Sequence, residues 1–184
     1  MTLQAKFHTV TDFEQFIAQP ENRDRRFELI HGTIVEKSMP TEEHGLIVAR
    51  LVAWLLAFVE ANGLGRVVVE TAYRKDADTL NRRILDISFT NTERAGPVVK
   101  RGAVPQMPDL AIEVKSPDDT YAEMREKASY YLNSGVNAVW LIFPDVQRIE
   151  VYSGEGVTVH EVTDTLHGGD VLPNFSLTIS KLFA

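Results

Sequence analysis

Two acids and a lysine are spaced so that they could share a metal ion and a phosphate. Along Asp109-Leu110-Ala111-Ile112-Glu113-Val114-Lys115, the two-residue alternation of a strand sends Leu110, Ile112 and Val114 to one face and Asp109, Ala111, Glu113 and Lys115 to the other. An earlier segment behaves alike, with Leu85, Ile87 and Phe89 pointing one way and Ile84, Asp86 and Ser88 the other. Paired side by side, the two strands would set Asp86 beside Glu113. Two carboxylates, helped by backbone carbonyls and water, form the hard oxygen set that Mg²⁺ prefers, with Mn²⁺ as a substitute. Lys115 is then placed to hold or activate an attacking water and to stabilise charge on a phosphoryl oxygen. The plain alternative is a same-face ion pair between Glu113 and Lys115, with Asp86 and Asp109 as strand-edge residues. A bare Glu-x-Lys tripeptide does not discriminate, because both residue types are common.

The elements that hold these residues follow from patterning. Thr11-x-x-Glu14 has capping-box spacing, and Phe13, Phe16 and Ile17 share a stripe, which predicts a short helix to about Gln19, before Pro20. Two β-type runs, residues 27–30 and 33–36, flank His31-Gly32 and predict a hairpin. Pro40-Thr41, followed by Glu42 and Glu43, opens the longest helical pattern, which carries Leu46, Ile47, Leu51, Trp54, Leu55, Phe58 and Val59 and stops at Asn62-Gly63. Three strands are expected over residues 65–73, 82–90 and 108–116. A second helix starts at Pro117-Asp118-Asp119 and stops at Asn133-Ser134-Gly135, and residues 138–143 form a continuously apolar strand. Residues 148–152 and 157–162 read as an outer hairpin around Gly154-Glu155-Gly156, followed by a Gly168-Gly169-Asp170 turn and a short C-terminal segment. The order from residue 41 is helix, strand, strand, strand, helix, strand. It suits an α/β fold with a mixed central sheet flanked by helices. No composition shift divides the chain, so residues 1–184 read as a single domain with its core at about residues 41–143.

Composition narrows the function classes. The 184 residues, 44% hydrophobic and 24% charged, have ordinary globular usage. The absence of cysteine removes disulfides, thiolate metal sites, iron–sulfur clusters and cysteine nucleophiles. A formal charge of -7 has the wrong sign for a non-specific nucleic-acid coat. Basic clusters at Arg23, Arg25 and Arg26, at Arg82 and Arg83, and at Lys100 and Arg101 leave room for a local patch. The longest apolar run, residues 51–59, falls short of a membrane span, and Met1 to Lys6 lack a signal-peptide core, so a cytoplasmic protein is expected. There is no H-E-x-x-H, G-x-S-x-G, P-loop or G-x-G-x-x-G motif, which sets aside zincin, hydrolase-elbow and nucleotide-cofactor readings.

Glu-Val-Lys on the third strand, Asp86 on the second, and the order of elements around them together resemble the PD-(D/E)XK nuclease superfamily. Within it the chain is similar to the Uma-two family of restriction-endonuclease-like proteins. The likeness runs through residues 27–32, the helix bearing His44, Leu85-Asp86, residues 108–117, Lys127 followed by Tyr131, Gly135-Val136, Val139-Trp140 and residues 169–173. It implies a metal-dependent phosphodiesterase acting on DNA, with Asp86 and Glu113 as ligands of Mg²⁺ and Lys115 assisting the water. Leu85 stands where the superfamily has proline, which changes backbone restriction and removes no ligand. Many relatives carry an apolar residue where Lys115 stands, so this chain is closer to the full superfamily pattern.

Secondary candidates are Glu28, Glu70, His44, Asp109 and Lys127. Glu28 would be the additional N-terminal acid of some nucleases, or else a hairpin salt-bridge partner. His44, in the first turn of the long helix, would touch substrate or interact with Glu42 or Glu43. Asp109 follows proline and imitates the signature, but at ~3.3 Å per residue it lies roughly 13 Å from Glu113. The resemblance implies that Lys127 would stand in as a migrated lysine in relatives that lack one at position 115; here it is expected to be a helix-face residue facing an acid. The expectation is therefore a Mg²⁺-dependent DNA endonuclease. The alternative is a catalytically weak nuclease-fold module for DNA binding or assembly, favoured by the charge of -7. A homodimer is expected, because the outer hairpin and Leu182-Phe183 would need cover and a two-fold pair organises double-strand cleavage.

Overall fold

The computed structural model describes residues 7–184; the reading of Met1 to Lys6 lies outside them. The chain forms two compact units. One comprises the described part of residues 1–39 with Ala72–Ile84 and Val99–Gln106, and the other comprises Pro40–Thr71, Leu85–Val98 and Met107–Ala184.

In the first unit, helix α1 (Val10–Ile17) is capped by Thr9: the Thr9 hydroxyl accepts from the Asp12 N–H at 3.3 Å, and the Asp12 carboxylate accepts from the Thr9 N–H at 2.8 Å. This box lies two residues before the expected one at Thr11. An aspartate closes it as a glutamate would, and the earlier start turns both Val10 and Phe13 inward. Strands β1 (Phe27–Ile30) and β2 (Thr33–Glu36) pair antiparallel across His31-Gly32 as expected, both turn residues having positive φ (49° and 76°), as a two-residue I′ hairpin demands. Val10, Phe13, Phe27 and Leu29 make a small core, with Phe16 set edge-on to Phe27 at 4.9 Å.

A six-stranded sheet, most of it in the second unit, has a spatial order that follows the chain: β3 (Gly65–Tyr73), β4 (Arg83–Asn91), β5 (Leu110–Val114), β6 (Ala138–Phe143), β7 (Arg148–Ser153) and β8 (Gly156–His160). The ladders β4–β5, β6–β7 and β7–β8 are antiparallel and β5–β6 is parallel, so a crossover must join β5 to β6. Helix α3 (Tyr121–Asn133) is that crossover. It begins after the expected Pro117 start, because Thr120 and Glu123 form the capping box while Asp119 accepts the Ser116 N–H at 2.8 Å in the preceding turn. Helix α2 (Glu42–Ala61), capped by Thr41, covers the other face, packing Ile47, Leu51, Leu55 and Val59 with Ile112, Val114, Trp140 and Ile142. Among the described residues α2 alone is long and apolar enough to cross a membrane by length and composition. Its buried stripe faces this core, as the core helix of a globular fold does.

Beyond the outer hairpin the chain forms a further pair, β9 (Thr165–His167) and β10 (Ser176–Thr178), where only a turn and a short segment were expected. Three-residue strands carry too little alternation to register as a pattern. Leu182 is buried and Phe183 packs partly against the same core, so the C-terminal pair needs no outside cover. That removes one of the two apolar surfaces behind the dimer expectation; Val157 and Val159 on β8 remain 54% and 52% exposed.

The α3 side of the sheet carries charge. Glu150 on β7 is buried and accepts a two-pronged bond from Arg125 of α3, at 2.7 and 3.2 Å, and a third from the Tyr152 hydroxyl at 2.7 Å. The Arg125 bonds hold its carboxyl below the ordinary 4.5, and burial next to Glu150 pushes the Tyr152 phenol up to about 12. A carboxyl depressed by folding contributes stability that is full above the unfolded value and is lost as pH falls through the lower folded one. Thermal melts across the acid range should therefore show wild type losing Tm on acidification below about 4.5 more steeply than Glu150→Gln. Parallel curves would mean that the Arg125 pairing contributes nothing.

Candidate active site

The β4–β5 ladder pairs Phe89 with Leu110, Ser88 with Ala111 and Ile87 with Ile112. Continuing that register sets Asp86 opposite Glu113, where the ladder has stopped. Here the Asp86 Oδ2 accepts the Val114 N–H at 2.9 Å, so a carboxylate takes the place of a backbone carbonyl. His44, in the first turn of α2, brings its Nε2 to 3.2 Å from the same oxygen. Asp86 and His44 are 3% and 6% exposed, so this contact is sheltered from water. His44 thus meets the strand acid, and the expected partners, Glu42 and Glu43, are exposed neighbours on its own helix.

Glu113, 1% exposed, is held from α3. The Tyr131 hydroxyl donates to its Oε1 at 2.7 Å, and Lys127 Nζ stands 3.4 Å from Oε2. Residues 127 and 131 are one turn apart and share a helix face, so both reach the same acid. Lys127 also lies 3.5 Å from Asp119, in the turn before α3. An ammonium between two carboxylates offsets much of the cost of burying Glu113 as an anion.

Lys115 shares the face of Glu113, but its ammonium reaches elsewhere: it lies 3.4 Å from the Asp145 carboxylate and 5.4 Å above the Tyr121 ring. Tyr121 donates to Asp145 at 2.9 Å. Burial would raise the Asp145 carboxyl, yet the Tyr121 hydroxyl and the Lys115 ammonium outweigh it and hold it below its ordinary value. The Glu113–Lys115 ion pair considered from sequence is therefore replaced by Glu113–Lys127 and Lys115–Asp145 pairs. Lys115 is one residue past the end of β5 and faces the single 3₁₀ turn Pro144–Val146 that follows β6, which brings Asp145 within reach.

The remaining candidates are Asp109, Glu28 and Glu70. Asp109 sits at the opposite end of β5, where it pairs with Arg94, accepts the Asn91 N–H at 2.8 Å and takes an Asn137 amide bond at 3.0 Å. It fastens the loop after β4 and borders a cavity of about 850 Å³ between that end of the sheet, β8 and the Gly168-Gly169 turn. Glu28 belongs to the first unit, where it accepts the Ile84 N–H at 2.6 Å; the hairpin ion pair there is made by Arg25 and Glu36. Glu70 is exposed on β3 in a left-handed conformation (φ 48°). Sequence reasoning did not assign site roles to Tyr131, Asp119, Asp145 and Tyr121. For Tyr131 the signal was present in the four-residue step from Lys127.

Among the described residues, no group of three His, Asp or Glu side chains closes into a metal cage. The donors present are two buried carboxylates on neighbouring strands, with a histidine against one of them. This set fits Mg²⁺, which usually binds through one or two carboxylates and fills its octahedron with water and substrate phosphate oxygens.

No match is found among curated proteins. Among solved structures, the chain is similar to one titled a "putative nuclease belonging to DUF820" from Anabaena variabilis, at 26% identity and a TM-score of 0.77, over 92% of this chain and 96% of that one. Residues 13–180 match the model of the Uma2 family, described as "Putative restriction endonuclease", and with nearly its whole length inside that match the chain belongs to the Uma2 family.

Proposed function

We propose that the chain is a Mg²⁺-dependent endonuclease that hydrolyses the DNA backbone, with Asp86 and Glu113 as the metal ligands. The observation that carries this reading is the pair of buried acids, 3% and 1% exposed, on adjacent strands at the point where their ladder stops. Bound there, Mg²⁺ would supply Lewis-acid polarisation of a phosphoryl oxygen and a water of lowered pKa. The chain's own residues do the positioning. His44 and the Val114 N–H aim Asp86, while Tyr131 and Lys127 fix the two oxygens of Glu113. Lys115 is the cation that holds the water or meets the developing phosphoryl charge. A second reading gives that task to Lys127, because its ammonium is 3.4 Å from Glu113 whereas that of Lys115 is paired with Asp145.

Cleavage rates and Mn²⁺ affinity, measured together on plasmid and single-stranded DNA, separate these assignments. Glu113→Gln should abolish both metal binding and cutting. Lys115→Met should keep Mn²⁺ affinity and slow turnover by roughly 10² to 10³, the scale of losing one preorganised electrostatic donor. If Lys115→Met cuts at the wild-type rate and Lys127→Met does not, the migrated lysine is the working one. DNA binding in Ca²⁺ without cleavage in Mg²⁺ or Mn²⁺ would instead identify a catalytically weak binding module.

The same reading calls for two copies on double-stranded DNA. We place the contact at β8, the last strand of the sheet, where Val157 and Val159 are exposed and no lysine or proline guards the edge. Sedimentation at micromolar concentration should give twice the 20.7 kDa chain mass, and Val159→Lys should give the single mass. A wild-type monomer would remove the two-fold arrangement.

A further inference from the structure

Charge is divided unequally between the two units. Among the described residues, the stretches of the first carry 10 Lys and Arg against 8 Asp and Glu, and those of the second carry 8 against 18. The described part of the first unit thus carries net +2 and the second unit net -10. The acids of the proposed metal site belong to the acidic unit, whose field repels a polyanion. Attraction for a nucleic-acid backbone must then come from the basic one.

Within the basic unit the positive charge has a fixed platform. Where β3 ends, Tyr73 forms a parallel bridge with Val104: the Val104 N–H donates to the Ala72 carbonyl at 2.8 Å and the Arg74 N–H donates to the Val104 carbonyl at 3.0 Å. These bonds pin the segment that carries Lys100 and Arg101 against the one that carries Arg74 and Lys75. Gly102 turns the chain between Arg101 and the bridge with φ 76°. Arg74 approaches Asp76 at 3.9 Å, and Asp78 is engaged by the N–H groups of Leu80 and Asn81. Lys75, Lys100 and Arg101 are exposed and, among the described residues, take part in no ion pair.

We propose that Arg74, Lys75, Lys100 and Arg101 form a phosphate-binding platform that grips the backbone of nucleic acid without reading its bases. The proposal rests on the nuclease reading for the identity of the polyanion. Flexible Lys and Arg side chains on a loop meet phosphates as charges and carry no base code, so the grip is set by salt and is indifferent to sequence.

The test is fluorescence anisotropy of a labelled duplex of about 30 bp with the full chain in Ca²⁺, titrated from about 0.05 to 0.2 M salt. Lys100→Gln/Arg101→Gln should weaken binding about tenfold or more at 0.1 M. It should also flatten the dependence of log Kd on log salt by about 1.8, the share of two phosphate contacts on duplex. Two duplexes of unrelated sequence should respond equally. Lys181→Gln, an exposed cation of the acidic unit, should bind as wild type does. Wild-type affinity and slope in the double variant would overturn the platform, as would a wild type that binds anionic vesicles but no duplex. The binding assay does not depend on cleavage. If Glu113→Gln cut plasmid at the wild-type rate, the metal-site reading would fail while a salt-dependent loss in Lys100→Gln/Arg101→Gln would still support the platform.

Discussion

The bond from the Val114 N–H to the Asp86 carboxylate is the contact on which the site turns. An antiparallel pair that continued past Ile87 and Ile112 would satisfy its backbone groups within the ladder, with no call on a side chain. By ending the ladder and spending a carboxylate on the next N–H, the fold ties an acid of β4 to the residue beside the acid of β5. A buried N–H cannot be left without a partner cheaply, so the same bond that completes the sheet also orients Asp86. His44 reinforces that orientation from α2, while Glu113 is gripped from α3 on the opposite face. Each acid is thereby held from a different helix.

Burying two carboxylates on adjacent strands is costly, and the surroundings show how the cost is met. Each acid has a hydrogen-bond donor from outside its own strand, and Glu113 has a cation as well. Paired, hydrogen-bonded acids persist in a core where bare ones would take up protons. The same logic recurs at Glu150 with Arg125 and at Asp109 with Arg94. Besides Asp86, the sheet carries buried acids on β5, on β7 and at the far end of β5, each with a basic partner.

Much of this was legible in the chain. The faces of β4 and β5, the hairpin at His31-Gly32, the limits of α2 and the apolar strand β6 follow from alternation, turn chemistry and helix stops, which are local. The same locality explains the misses. The Thr9 and Thr11 boxes have equivalent spacing, and only the inward turn of Val10 and Phe13 favours the first. Lys115 lies on the face that alternation assigns to it, yet the reach of a four-carbon side chain lets it choose Asp145, a residue thirty positions away whose approach depends on how β6 ends. The partnership of His44 with Asp86 spans 42 residues and two elements, so no periodicity announces it. The family was recognisable from ordered motifs, whereas the choice of lysine is a matter of side-chain geometry.

The register of the sheet gives α3 an unusual constraint. Glu113 lies opposite Leu141, and Leu141 opposite Glu150, so the two acids stand on one row across three strands with an apolar residue between them. Lys127 and Tyr131 reach one end of that row and Arg125 reaches the other. A turn of the helix about its axis by a single residue, roughly 100°, would pull all three side chains off their acids at once. The rotational phase of α3 is therefore keyed by charge at two points, where a helix packed through an apolar stripe alone could settle into neighbouring phases with little penalty.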